Sequence, residues 1–131
     1  MAARLELHLL EGPYAVCQLE ATAQVPAWAE GEGFLSISRA SDGLTVVCRQ
    51  KRVPPGVRAE RDWRCLGLVG PFEFALTGIL AAVLNPLAQA GVGVFAVSTY
   101  NTDYVLIKSA SLNQGIMALN QAGHRVHVAQ K

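Results

Sequence analysis

From Phe74 to Thr102 the chain carries no charged side chain. A helix that spans a bilayer needs about 20 predominantly apolar residues in succession. Asn85, Pro86, Gln89, Gly91 and Gly93 divide this stretch before it reaches that length. Its apolar residues are patterned instead. Leu76, Ile79, Leu80, Val83, Leu84 and Leu87 recur at steps of three and four, which predicts one buried face of a helix over 76–90. Gly91 stands where a left-handed C-terminal cap is expected. Pro86 predicts a kink near Ala82, because its ring meets the carbonyl four residues earlier.

Strands flank this helix. Trp63-Arg-Cys-Leu-Gly-Leu-Val-Gly70 reads as a strand closing on a Gly70-Pro71 turn, and Val94–Thr99 and Tyr104–Lys108 are β-branched and aromatic runs joined by a short polar turn. Ser111 is placed as an N-cap, with Leu112, Ile116 and Leu119 on one face of a second helix and Gly123 ending it. Arg125–Ala129 is a short last strand. The order is β-α-β-β-α-β, an α+β, ferredoxin-like antiparallel sheet with both helices on one face.

The first half carries a reduced copy of this pattern. Gly33-Phe-Leu-Ser-Ile-Ser38 aligns with Gly93-Val-Phe-Ala-Val-Ser98, and the same offset places Val46-Val47 on Leu106-Ile107. Tyr14–Leu19 supplies a first strand, but only Pro26-Ala-Trp-Ala29 stands where the long helix belongs. The expected organisation is two tandem modules. Residues 1–62 form a degenerate first module that ends in a linker over 51–62, and residues 63–131 form a complete second one.

Composition narrows the function classes. The 131 residues are 51% apolar and 16% charged, against about 25% charged in ordinary domains, which argues against disorder and for extra burial against a partner. Net charge is +1, and the basic residues Arg49, Lys51, Arg52, Arg58, Arg61 and Arg64 surround the turn-forming Val53-Pro54-Pro55-Gly56. A solvated linker accounts for them better than a phosphate-contacting patch, so no nucleic-acid partner is expected. The N-terminus lacks the basic-then-apolar layout of a signal peptide, since Glu6, His8 and Glu11 interrupt it. With no membrane segment, a soluble cytoplasmic protein is expected.

Enzymatic signatures are missing from the sequence. Cys17, Cys48 and Cys65 are odd in number and form no Cys-x-x-Cys pair, which fits buried, inert thiols in a reducing compartment. His124 and His127, three apart on a strand, face opposite ways and make no joint metal site. Neither a glycine-rich phosphate loop nor Gly-x-Ser-x-Gly occurs. A non-enzyme without metal or cofactor is expected.

Two segments can hold a ligand. Ser98-Thr-Tyr-Asn-Thr-Asp103 is made of turn-forming residues, whose short side chains bond to nearby backbone. It also ends on Asp103, the only charge between Glu73 and Lys108. The helix start, Leu76-Thr-Gly-Ile-Leu80, offers first-turn N–H groups to a carboxylate and a hydroxyl from Thr77. Gly78 lets either a ligand or a neighbouring helix approach the backbone. The turn reads equally as plain structure. A ligand with a carboxylate at one end and a cation at the other, an amino acid, satisfies both segments.

At these residues the chain resembles the ACT-domain variant found in tandem in aspartate-kinase-like proteins and in CASTOR-type cytosolic arginine sensors. The resemblance rests on Gly70-Pro71, on Leu76-Thr-Gly-Ile-Leu80 and on Ser98-Thr-Tyr with Asp103-Tyr104, the most specific element. It extends more weakly over Tyr14–Leu19, Pro26–Ala29 and Phe34–Arg39. It implies a βαββαβ regulatory fold paired into a wider sheet that senses an amino acid at the interface between its modules, an allosteric ligand sensor with no catalytic residue. By position, the resemblance assigns ligand binding to Thr77, Gly78, Ile79, Leu80, Thr99, Tyr100, Asn101, Thr102 and Asp103. Sensors of cationic amino acids carry acidic residues at the helix start, where this chain has Ala75-Leu76, so the resemblance stops short of arginine specificity. The first module has Gly43 where the second has Asp103, with Asp42 one place earlier. A homodimer or a regulated protein is the expected partner. The competing reading is an assembly module that has kept the fold and lost the ligand.

Overall fold

The computed structural model describes residues 4–73 and 77–128. The chain divides into two compact units, Met1–Leu10 with Arg64–Lys131, and Glu11–Trp63.

In the first of these, Leu7 and Leu9 are buried between exposed Glu6 and His8, the alternation of a strand with one face inward, β1 (Glu6–Leu9). The pattern predicted for the C-terminal half follows. It runs from the end of β5 (Ala59–Leu68) through α1 (Ile79–Gln89), β6 (Phe95–Ser98), β7 (Asp103–Lys108) and α2 (Leu112–Gln121) to β8 (Arg125–Val128). β7 pairs with both β6 and β5, and β1 lies between β5 and β8, antiparallel to the former and parallel to the latter. The half is therefore not a sheet by itself. Leu7 and Leu9 of β1 join Leu66, Leu68, Val83, Leu87, Val105, Ile107 and Leu119 in one core, against which Leu80, Leu84 and Leu112 pack. Both helices thus cover one face of the sheet.

The predicted helix begins later than its periodicity. Ile79 opens α1, while Leu76 lies outside the described residues, as do Phe74, Ala75 and Ala129. Gly78 caps the helix at φ 81, a left-handed conformation that favours glycine. Gly91, at φ 76, follows its C-terminus, and Gly123, at φ 100, follows α2. The helix continues through Pro86. Proline has no N–H to give the carbonyl of Ala82, and that carbonyl instead accepts from His124 Nε2 at 2.7 Å. The other ring nitrogen, Nδ1, accepts the backbone N–H of Leu5 at 3.1 Å. These partners assign a neutral imidazole with its proton on Nε2.

The unit Glu11–Trp63 holds β2 (Tyr14–Leu19), β3 (Ser36–Ala40), β4 (Gly43–Arg49) and the first part of β5. β4 lies between β3 and β2, and β2 also pairs with β5. In place of a long helix there is a short 3-10 turn, Ala27–Ala29, and a second one, Gln50–Arg52, follows β4. Ala15, Cys17, Ala29, Leu44, Val46 and Cys48 form the core beneath the first turn, with Trp28 and Leu35 packed alongside. Part of the segment read as linker is ordered: β5 starts at Ala59, and Asp62, at φ 68, is held by Gln50, whose side-chain oxygen accepts the Asp62 N–H at 2.6 Å.

His124→Ala leaves the Leu5 N–H and the Ala82 carbonyl without their partner, which is expected to cost about 1–3 kcal/mol in urea unfolding. Adding Pro86→Ala to that variant supplies a backbone donor for Ala82 and is expected to recover part of the loss. A double-mutant cycle over the two positions checks the coupling.

Candidate functional site

The β6–β7 hairpin pairs Ser98 with Asp103 and Val97 with Tyr104, leaving 99–102 as its turn. The turn is closed locally. Thr99 N–H donates to the Thr102 carbonyl at 2.8 Å, and the Thr99 hydroxyl donates to the same carbonyl at 3.1 Å. Thr102 N–H donates in turn to Thr99 Oγ1 at 3.3 Å. It is also tied to the strand beside it. Thr102 Oγ1 donates to the Leu68 carbonyl at 2.9 Å, and Phe72 N–H donates to the Asn101 carbonyl at 2.8 Å. At the mouth of the hairpin, Ser98 Oγ donates to Asp103 Oδ1.

These bonds frame a cavity of about 180 Å³ lined by Phe72, Glu73, Ile79 and the whole of Ser98–Asp103. Ile79 is the first residue of α1, whose Gly78 cap makes no side-chain hydrogen bond. Among the described residues, a Cβ built on Gly78 meets nothing within 4 Å. First-turn amides of a helix carry partial positive charge. The first residue of α1 borders the same cavity as Asp103 and Glu73.

Of the residues the sequence singles out, Ile79, Thr99, Tyr100, Asn101, Thr102 and Asp103 line this cavity, and Thr77, Gly78 and Leu80 do not. Thr77 and Gly78 are exposed beside it, whereas Leu80 packs against the core. Tyr100 is 77% exposed at the tip of the turn. Thr99 and Thr102 spend their hydroxyls on holding the turn, and the cavity lining also holds the carboxylates of Asp103 and Glu73 and the side chain of Asn101. Phe72 and Glu73 were not singled out. Their only signal was that Glu73 is the last charge before the neutral stretch, the counterpart of Asp103 at its other end.

The unit Glu11–Trp63 has a wider groove of about 720 Å³ along Gln18–Ala21, Ser41, Asp42 and Arg58. Among the described residues no α-helix starts there.

The other reactive side chains are engaged in structure. Burial pushes the Cys65 thiol up to about 12, which keeps it protonated and a poor nucleophile. His124 holds two backbone groups, and His127 Nε2 lies 2.8 Å from the Glu6 carboxylate on the exposed face. Among the described residues no group of three or more His, Cys, Asp or Glu is placed to hold a metal, and no helix is long and apolar enough to cross a membrane.

The chain resembles proteins of known description over nearly its whole length. An ACT-domain family model matches residues 58–121, and a model for an N-terminal domain matches residues 12–56. A crystal structure of an Agrobacterium tumefaciens protein is 40% identical, with a TM-score of 0.94, over 99% of this chain and 97% of that one. The cytosolic arginine sensor for mTORC1 subunit 1 of Bos taurus is 30% identical over 97 residues, which are 66% of this chain and 30% of the sensor. This chain thus spans under a third of that relative's length. The ligand-free regulatory subunit of aspartate kinase from Thermus thermophilus shares the fold at 11% identity, with a TM-score of 0.61, over 93% of this chain and 99% of that one.

Thr102→Val removes the bond that ties the turn to β5 and is expected to cost about 1 kcal/mol in urea unfolding. Tyr100→Ala, at an exposed position, is expected to change stability by less than about 0.5 kcal/mol.

Proposed function

We propose that this chain, whose residues 58–121 match an ACT-domain family model, is a regulatory protein that senses an amino acid in the cavity beside the β6–β7 turn. One observation carries this reading: the first residue of α1 borders the same cavity as Asp103 and Glu73. An α-carboxylate is stabilised by first-turn amides, and an α-ammonium by the carboxylate of Asp103, which Ser98 orients. The volume, about 180 Å³, falls below the roughly 300–1,000 Å³ of drug-sized sites and suits a small ligand. A sensor of arginine among the relatives points to the same ligand class. Ala75-Leu76 in place of acidic residues at the helix start leaves the side-chain specificity different from that of arginine sensors.

In this reading the protein is non-catalytic and cytoplasmic, needs no metal or cofactor, and responds by changing its association with a second copy or with a regulated protein. The alternative, an assembly module without a ligand, draws support from exposed apolar side chains, among them Met117 at 60%, Val128 at 52% and Val69 at 49%. The two readings separate by measurement.

A thermal-shift screen over the twenty amino acids is expected to find a stabilising ligand, since 100 times the dissociation constant adds about 2.7 kcal/mol. Asp103→Ala is expected to weaken binding at least about tenfold, roughly 1.4 kcal/mol. No shift with any amino acid, together with one unchanging oligomer by light scattering, favours the assembly reading.

A further inference from the structure

Two cysteines that lie far apart in sequence meet in the unit Glu11–Trp63. Cys17 on β2 pairs with Val46 of β4, and Cys48 of β4 pairs with Ala15 of β2. Residues two apart on a strand share a face, so both thiols stand on the same side of the sheet, one pair apart on the diagonal. Both are buried, at 1% and 0% exposure, in the same small core. The two side chains interact directly with each other. None of the chemistry assigned to the hairpin cavity uses them.

The core that holds the pair is closed by the three-residue turn Ala27–Ala29 together with Leu35, Val53 and Val57. The pair is shielded from solvent, so a small oxidant reaches it when this core opens locally. We propose that Cys17 and Cys48 form an oxidation-responsive dithiol that closes to a reversible cross-strand disulfide when hydrogen peroxide reaches it.

The pair has an internal division of labour. The side-chain interaction with Cys17 lowers the Cys48 thiol below its ordinary range, with Arg52 acting in the same direction and burial opposing both. The same contact, with burial, raises Cys17 and keeps it a thiol. Attack is by the thiolate form, which is more accessible to Cys48 than to Cys17. The Cys48 sulfur bonds to one peroxide oxygen while the O–O bond breaks, leaving a sulfenic acid on Cys48 and a hydroxide that takes up a proton. The Cys17 sulfur next attacks the Cys48 sulfur. The S–O bond breaks, the S–S bond forms, and the hydroxyl leaves as water with the Cys17 proton. Two thiols have lost two electrons, and the peroxide has become two waters.

Closure reshapes the sheet. Diagonal neighbours stand about 7–8 Å apart on a flat antiparallel pair, whereas a relaxed disulfide joins Cα atoms about 4.4–6.8 Å apart. Forming the bond draws β2 towards β4 and disturbs the contact with Trp28. A bond made under such strain is readily reduced, as a reversible switch requires.

The test uses the unmodified protein. After exposure to hydrogen peroxide, quenching with catalase, and alkylation with iodoacetamide in urea, a non-reduced peptide map is expected to show Cys17 linked to Cys48 within one chain, about 2 Da below the two free peptides. Cys65 is expected to be recovered alkylated. In Trp63→Phe, which leaves Trp28 as the one tryptophan, emission is expected to shift on oxidation and return with dithiothreitol. In Cys17→Ser, the sulfenic acid on Cys48 is expected to persist long enough for capture by dimedone. Recovery of Cys17 and Cys48 as alkylated thiols at a peroxide dose that fully oxidises free glutathione overturns the proposal. So does a linkage found only between chains, or sulfinic acid without the linkage.

Discussion

The imidazole of His124 completes a hydrogen bond that Pro86 cannot make, and the larger unit is organised around that exchange. An interior proline leaves a helical carbonyl without its usual donor, and here the stranded group is that of Ala82 in α1. His124 supplies the donor from the loop between α2 and β8, while its second nitrogen receives the N–H of Leu5 just ahead of β1. The next residue repeats the link, since the Arg125 N–H donates to the Leu5 carbonyl at 2.9 Å. One buried side chain therefore joins the first strand, the long helix and the last strand. Its tautomer is set by those partners.

A fixed α1 gives the candidate site one rigid wall, and the hairpin gives it the other. The turn 99–102 is an irregular loop, yet its polar groups are divided between two tasks. Thr99, Thr102 and the Asn101 carbonyl anchor it to itself, to Leu68 and to Phe72. Ser98 and Asp103, one step down the strands, are left to face the cavity with Glu73. Sites whose supporting residues are held by their own hydrogen bonds keep ligand groups in place at little entropic cost. The same division explains why a segment of ordinary turn residues carries binding capacity without losing its structural role.

Local pattern made much of this legible. The three-and-four spacing from Ile79 to Leu87 marks a helical face, and the isolated position of Asp103 marks the end of a neutral stretch that now borders a cavity. Long-range pairing hid the rest. Leu5, Leu7 and Leu9 alternate with Glu6 and His8, a readable strand signal, but nothing local shows that so short a strand is inserted between β5 from mid-chain and β8 from the far end. The kink expected at Ala82 follows from proline chemistry, and only the fold shows His124 as the donor there. Leu76, also read as part of the helix, lies outside the described residues. Glu73 lacked a partner in the sequence until the hairpin came beside it. Cys17 and Cys48 share no spacing motif, and their meeting depends on the register of β2 with β4.

The central claim is that an amino acid binds between the start of α1 and the mouth of the β6–β7 hairpin. Titrating the ¹⁵N-labelled protein with the amino acid that stabilises it, and following backbone amide resonances, tests this most directly. The account predicts saturable shifts concentrated at Ile79, Leu80 and Ser98–Asp103, with the amides of β3 and β4 unmoved. Shifts confined to other surfaces, or a spectrum unchanged at saturating ligand, would contradict it.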